Sequence, residues 1–234
     1  MRNRNRGRRL AIAGVLGASI IAAPACSVHH GYGRSCSTYW YEDVGVALVA
    51  AAEPDREVVF FAIGFETTAP AIALAANRAA ALGLENFSLL TALVLAPPAM
   101  AAILAAPDNR VEGFLAPGHV ATIAGADAYA HFAARWGVPV VVTGFEPLDI
   151  LDGVRRLVGR LEANVGGAEV QYDRAVSAGG NRAAQELVEA VFEPADAEWR
   201  GLGVIPASGL RLRPEWAHMD ARRRFGLAPS RVAA

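Results

Sequence analysis

An α/β fold of two similar Rossmann-like lobes, each carrying a mainly parallel sheet, is what this sequence predicts, and three observations lead there. Short β-branched and aromatic runs alternate with Ala-rich or amphipathic stretches of helical length, the pattern of strands in a sheet covered by helices. The tripeptide Gly-Phe-Glu ends two of those apolar runs, as Gly64-Phe65-Glu66 and as Gly144-Phe145-Glu146, and a helix-like stretch follows each. With 234 residues, 53% of them hydrophobic, the chain can bury a sizeable core.

Taken in order, residues 1–45 form a divergent, signal-like or non-homologous segment. Arg2, Arg4, Arg6, Arg8 and Arg9 precede the apolar run LAIAGVLGASIIAA and the small residues Ala23-Pro24-Ala25, the plan of a secretory signal, and the run is short for a membrane span. Residues 46–137 read as a first lobe. EVVFFAI is a strand buried on both faces, APAIALAANRAAALG a helix closed by Gly83, FSLLTALVL a strand and PAMAAILAA a helix ending before Pro107. VEGFLA is then a strand running into the loop Pro117-Gly118-His119, and ADAYAHFAARWG is a helix closed by Gly137.

Residues 138–234 read as a second lobe with a C-terminal segment. VPVVVT is its strand, and PLDILDGVRRLVGRLEANVGG is an amphipathic helix with Leu148, Ile150, Leu151, Val154, Leu157, Val158 and Leu161 at helical spacing. GGNRAAQELVEAVFE is a helix with Asn181 near its start, and EWRGLGVIPASGLRLRPEW, rich in Gly and Pro, reads as a non-repetitive surface segment.

Ligands of open α/β sheets gather where strands end and helices begin, which directs attention to the two Gly-Phe-Glu corners. Glu66 and Glu146 at helix starts suit the helix dipole but oppose a phosphate. A metal, a cation or a neutral hydrogen-bonding ligand fits better than a nucleotide, and no phosphate-binding glycine motif is present. Helix capping by Glu66, Thr67 and Thr68, with Phe65 and Phe145 in the core, explains the same residues without any ligand. A net charge of −1 gives no general case for nucleic acid. Cys26 and Cys36, with His29 and His30 between them, match no metal-finger spacing and are weak metal candidates.

The segments VVFFAIGFETTAP, APGHVATIAG, VPVVVTGFEPLDIL, VQYDRAVSAGGN, WRGLGVIPASGL and MDARRRFGL resemble, in order and spacing, the hydrogenase maturation family HypD, over residues Ala47 to Pro229. The resemblance implies a cytoplasmic scaffold, rather than a stand-alone enzyme, that assembles the Fe(CN)2CO unit of [NiFe] hydrogenase with HypC and HypE. It also implies two α/β lobes with the Gly-Phe-Glu corners facing the cleft where iron is handled. Its site residues map onto Gly64, Phe65, Glu66, Thr67 and Thr68, onto Pro117, Gly118 and His119, and onto Gly144, Phe145 and Glu146, in hydrogen-bonding and positioning roles. Ala121 stands where the family usually has serine.

The family's Cys-Gly-Thr-His motif, its Gly-Pro-Gly-Cys-Pro-Val-Cys pair and the C-terminal region that holds its [4Fe-4S] cluster have no counterpart here. The resemblance therefore implies a fragment, truncated at both ends, without that cluster and impaired as a maturase. An exported binding protein with a secretion signal is the alternative, and a Glu66/Glu146 acid–base enzyme ranks behind both. The expected intracellular protein keeps its arginine-rich start, so mass spectrometry of the N-terminus should find residues before Ala25 intact; cleavage after Ala25 is the result that supports export.

Overall fold

The computed structural model describes the backbone of residues 9–14 and 40–227 and the side chains of residues 45–227. Two sheets organise it. The first has five strands: β1 (Arg9–Gly14), β2 (Arg56–Gly64), β3 (Phe87–Val94), β8 (Gly203–Leu212) and β7 (Phe192–Trp199), in that spatial order. β1, β2 and β3 run parallel, while β8 joins β3 and β7 joins β8 antiparallel. The second sheet, β4 (Phe114–Pro117), β5 (Pro139–Thr143) and β6 (Gly167–Val170), is wholly parallel. The expected α/β class with mainly parallel sheets is what the chain adopts.

The division between the sheets is not the one expected. β4, placed by sequence in a first lobe ending at residue 137, pairs with β5, and β7 and β8, placed in the second, complete the first sheet. The segment read as irregular surface is the β7–β8 hairpin, with a register shift between Ala195 and Ala197. Glycines and prolines hid it, because they interrupt the period-two pattern that marks a strand. Arg9–Gly14, inside the signal-like stretch, is the edge strand β1, in parallel register with β2 from Arg9 opposite Arg56 to Gly14 opposite Phe61. Cys26 and Cys36 lie outside the described residues.

Each sheet has its own core. Around the first, α1 (Trp40–Ala52) and α2 (Ala69–Ala81) press small faces onto Val58, Phe60, Phe87 and Leu89, with Ala47, Ala50, Ala73 and Ala76 fully buried. Alanine at these positions lets helix and sheet approach closely, at little cost in side-chain entropy. Around the second, α3 (Ala96–Ala105), α4 (Gly118–Ala124) and α5 (Ala126–Trp136) enclose Met100, Val120, Tyr129, Phe132, Val140 and Val142. α5 ends where sequence placed its stop, on Gly137 in the left-handed region at φ +68°. α6 (Pro147–Glu162) follows β5, and α7 (Arg182–Val191), with Asn181 accepting from the Ala184 N–H, touches both α2 and α4. A 3-10 turn (Pro214–Met219) and the short α8 (Ala221–Phe225) end the described chain.

Asn86 ties the first unit together. Its buried side-chain amide nitrogen donates to the carbonyl oxygens of Ala50, Glu53 and Arg56 at 2.8, 3.0 and 2.8 Å, while its backbone carbonyl accepts from the Val58 N–H at 2.8 Å. The end of α1, the following turn and the start of β2 are thus fixed by one side chain. Replacing Asn86 by alanine leaves buried carbonyls without a donor, so Asn86→Ala should cost on the order of 2–4 kcal/mol, read as a lower urea midpoint at unchanged slope.

Candidate functional site

The two Gly-Phe-Glu corners are built differently. At the first, β2 ends on Gly64 at φ +146°, a conformation L side chains rarely adopt, and any Cβ there would strike the Thr68 side chain. Thr68 donates through Oγ1 to the Phe65 carbonyl at 2.9 Å and closes the turn into α2. Phe65, 42% exposed, sits 6.3 Å from the Trp199 ring of β7, which donates to Ser208 Oγ at 2.8 Å. Glu66 turns away from its own helix. Its Oε1 accepts from the Ala96 N–H at 2.8 Å, so it caps α3, not α2. Its Oε2 is buried without a hydrogen-bond partner, and burial raises the carboxyl above its ordinary pKa against the lowering effect of its backbone hydrogen bonds.

Tyr129 of α5 lies on the other side of that carboxylate's field. Its hydroxyl is also buried and unpartnered, and its pKa is pushed up by burial first and by the charge of Glu66 second. α5 belongs to the second core, so Glu66 and Tyr129 relate the two units to each other electrostatically. Thr67 is half-buried beside Glu66 and makes no side-chain hydrogen bond.

The second corner is a packed polar knot. Pro117-Gly118-His119, expected as a loop, is the end of β4 and the start of α4, because the helix begins directly at Gly118. A Cβ on Gly118 would lie 2.6 Å from the Thr143 carbonyl oxygen and 2.7 Å from Tyr172 Cδ1. A Cβ on Gly144 would lie 2.7 Å from Tyr172 Cδ2 and would strike the carboxylate of Asp149. The buried Tyr172 ring is therefore held between two glycine backbones. On its face rests the Arg174 guanidinium, 4.3 Å from the ring centroid.

Arg174 gathers the carboxylates. Its Nη1 donates to Asp149 Oδ1 at 2.9 Å, and its Nη2 reaches Asp149 Oδ2 and Glu146 Oε2, the latter at 3.0 Å. Gln171 Nε2 donates to Asp149 Oδ1 at 2.9 Å, while Gln171 Oε1 accepts from Thr143 Oγ1 at 3.1 Å and the Gly144 N–H at 3.3 Å. The hydrogen bonds from Arg174 hold the Asp149 carboxyl well below the usual carboxylate range, although burial opposes them. Glu146 is the exposed arm of this knot and Asp149 its buried centre.

His119 packs against Phe145, ring centroids 4.6 Å apart and tilted by 47°. Its Nδ1 is buried and unpartnered, and burial lowers its pKa, favouring the neutral imidazole. The structure thus brings His119, Phe145 and Glu146 together around the second corner, and Phe65, Glu66 and Thr68 around the first. Among the described residues, no hydrogen bond, ion pair or ring contact joins the two Gly-Phe-Glu segments directly.

Sequence reading missed Asp149, Gln171, Tyr172, Arg174 and Tyr129. Gln171-Tyr172-Asp173-Arg174 follows a four-residue strand too short to read from periodicity, so nothing located it opposite the corner. Among the described residues there is no cysteine, and no group of three His, Cys, Asp or Glu side chains could hold a metal.

The comparisons with known proteins agree on one family. The model of a family described as "Hydrogenase formation hypA family", HypD, matches residues 39–234. The hydrogenase maturation factor HypD of Azotobacter vinelandii is 48% identical over 193 residues, 80% of this chain and 51% of its own length. The hydrogenase expression/formation protein HupD of Azotobacter chroococcum mcd 1 is 47% identical over 81% of this chain and 52% of its own. HypD of Escherichia coli strain K12 is 42% identical over 82% of this chain and 52% of its own. The chain spans about half the length of the curated relatives it matches.

Asp149 supplies a pH test of the knot. Its folded-state pKa lies below its unfolded value of about 3.9, so its contribution is complete above roughly pH 5 and is lost as pH falls through and below that unfolded value. Asp149→Asn should lower the urea midpoint at pH 7 and flatten the loss of stability between about pH 5 and 3, measured by circular dichroism.

Proposed function

This chain belongs to the HypD family of hydrogenase formation proteins, and from that premise we propose that it is a maturation scaffold. Its corners position the Fe(CN)2CO unit, or the protein carrying it, during assembly of [NiFe] hydrogenase with HypC-like and HypE-like partners. The observation that carries this reading is the pair of buried polar atoms left unmatched near the strand ends, His119 Nδ1 and Glu66 Oε2. An imidazole nitrogen and a carboxyl oxygen can each take part in hydrogen bonds to a bound unit. Phe65 and Phe145, about half exposed, give that unit an apolar border.

The iron unit is cargo here. A resident [4Fe-4S] cluster does not fit this chain, whose two cysteines, Cys26 and Cys36, fall short of four thiolate ligands. The residues described therefore hold and orient the unit through hydrogen bonds, without soft metal ligands among them. Assembly of this kind belongs in the cytoplasm. No helix among the described residues is long and apolar enough to cross a membrane.

Anaerobic co-expression with HypC and HypE tests the reading. The expected result is co-purification with HypC and an iron load, with its cyanide and carbonyl infrared bands, well below that of the Escherichia coli relative. Absence of any complex would overturn the scaffold reading, and an equal iron load would overturn the impairment.

A further inference from the structure

The two ring nitrogens of His119 have different surroundings. Nδ1 is sealed from solvent with no hydrogen-bond partner among the described residues, whereas Nε2, also without a partner there, stays open on a half-buried ring. A bound unit therefore meets this imidazole through Nε2. The ring is pinned in that pose. Phe145 lies against it with centroids 4.6 Å apart, and Gly118 just before it packs so tightly on the Thr143 carbonyl and Tyr172 that no Cβ fits. The Thr122 hydroxyl donates to the His119 carbonyl at 2.6 Å and steadies the first turn of α4.

A neutral imidazole carries an N–H on one nitrogen and a lone pair on the other, and the surroundings decide which has which. Burial lowers the pKa of His119, so the ring is neutral near neutral pH. A proton on Nδ1 would be an N–H shut away without an acceptor. The opposite tautomer leaves only a lone pair unmatched inside and turns the N–H outward, where a partner can meet it. The same asymmetry bears on metal binding. A histidine that ligates a metal through one nitrogen donates the other N–H to a carboxylate, a carbonyl or water, which orients the ring and strengthens the ligand. His119 Nδ1 has no such acceptor, and the carboxylates of the same corner, Glu146 and Asp149, are turned to Arg174.

An outward N–H calls for an acceptor. Beside it Phe145, 48% exposed, forms an apolar wall, and the charge of Glu146 is already met by Arg174. The ligand that fits is a compact group that accepts a hydrogen bond at one end and tolerates an aromatic flank. In the iron unit proposed above, the nitrogen end of a metal-bound cyanide has that chemistry, because its lone pair accepts hydrogen bonds well, whereas the oxygen of a bound carbonyl accepts them poorly.

We propose that His119 meets its ligand as a hydrogen-bond donor, through an Nε2–H directed at the terminal nitrogen of a metal-bound cyanide, and not as a metal ligand. The cyanide rests on the scaffold reading above; the donor role does not. Proton–nitrogen correlation NMR of the full, isotopically labelled chain reads the tautomer directly, with the His119 signals assigned by their loss in His119→Gln. A protonated Nε2 and a bare Nδ1 are expected near neutral pH, and a proton on Nδ1, or on both nitrogens, overturns the proposal. In the iron-loaded complex with HypC, His119→Asn, too short to reach, should shift the cyanide infrared bands more than the carbonyl band. His119→Gln, whose side-chain amide reaches the Nε2 position, should restore them. Cyanide bands unmoved by His119→Asn or unrestored by His119→Gln, or an iron unit lost from both variants, overturn the cyanide contact and leave the scaffold reading standing. An unsubstituted complex that carries no cyanide bands overturns that contact together with the scaffold reading, while the NMR result still decides the donor role.

Discussion

Tyr172 has room for its ring only because two backbone segments beside it carry no side chains. Gly118 begins α4 and Gly144 leaves β5, and a methyl group at either position would occupy the ring's own space. This steric constraint fixes more than one aromatic. With the ring seated, Arg174 lies on its outer face and can reach Asp149 and Glu146 together. With Asp149 so engaged, α6 is fixed at its first turn, and Gln171 completes the link back to Thr143 and Gly144. The polar knot, the entry of α6 and the placing of Phe145 against His119 all follow from a slot that only glycine leaves open.

The repeated tripeptide does different physical work at its two occurrences. Glu66 is drawn inward to serve the first N–H of a neighbouring helix, whereas Glu146 stays outside and meets an arginine. The buried charges at the two corners have opposite linkages. The raised pKa of Glu66 makes its ionisation a cost that grows as pH rises above its unfolded value of about 4.3, while the lowered pKa of Asp149 makes its protonation a cost as pH falls. A duplicated motif does not imply a duplicated mechanism, because the partners of each glutamate come from sequence that is not repeated.

Much of this was legible in the residues. The alternation of strand and helix, the stops at Gly83 and Gly137, the helix that starts near Asn181 and the two corners were readable, because each depends on neighbours within a few positions. What escaped reading depends on pairing across the chain. The β7–β8 hairpin joins β3 across the gap from Leu93 to Leu210, and β4 leaves the unit that precedes it for the one that follows. Local pattern carries no information on that choice. Tyr129 illustrates the same limit at the site: within its helix it reads as one more apolar position, and only packing sets its hydroxyl in the field of Glu66.

α6 shows how far periodicity can mislead about direction. An amphipathic pattern states that one face is apolar and is silent on which face meets the sheet. Here the close approach at Gly153, the buried Asp149 and the Arg156 and Arg160 ion pairs to Glu169 anchor the polar side, so attachment relies on geometry and charge where most helices rely on apolar burial. Such an anchor holds one orientation sharply, since hydrogen bonds and glycine contacts fail with small displacements while apolar packing slides. The helix whose apolar residues stay exposed is thus the one whose first turn is locked to Arg174 and Thr143.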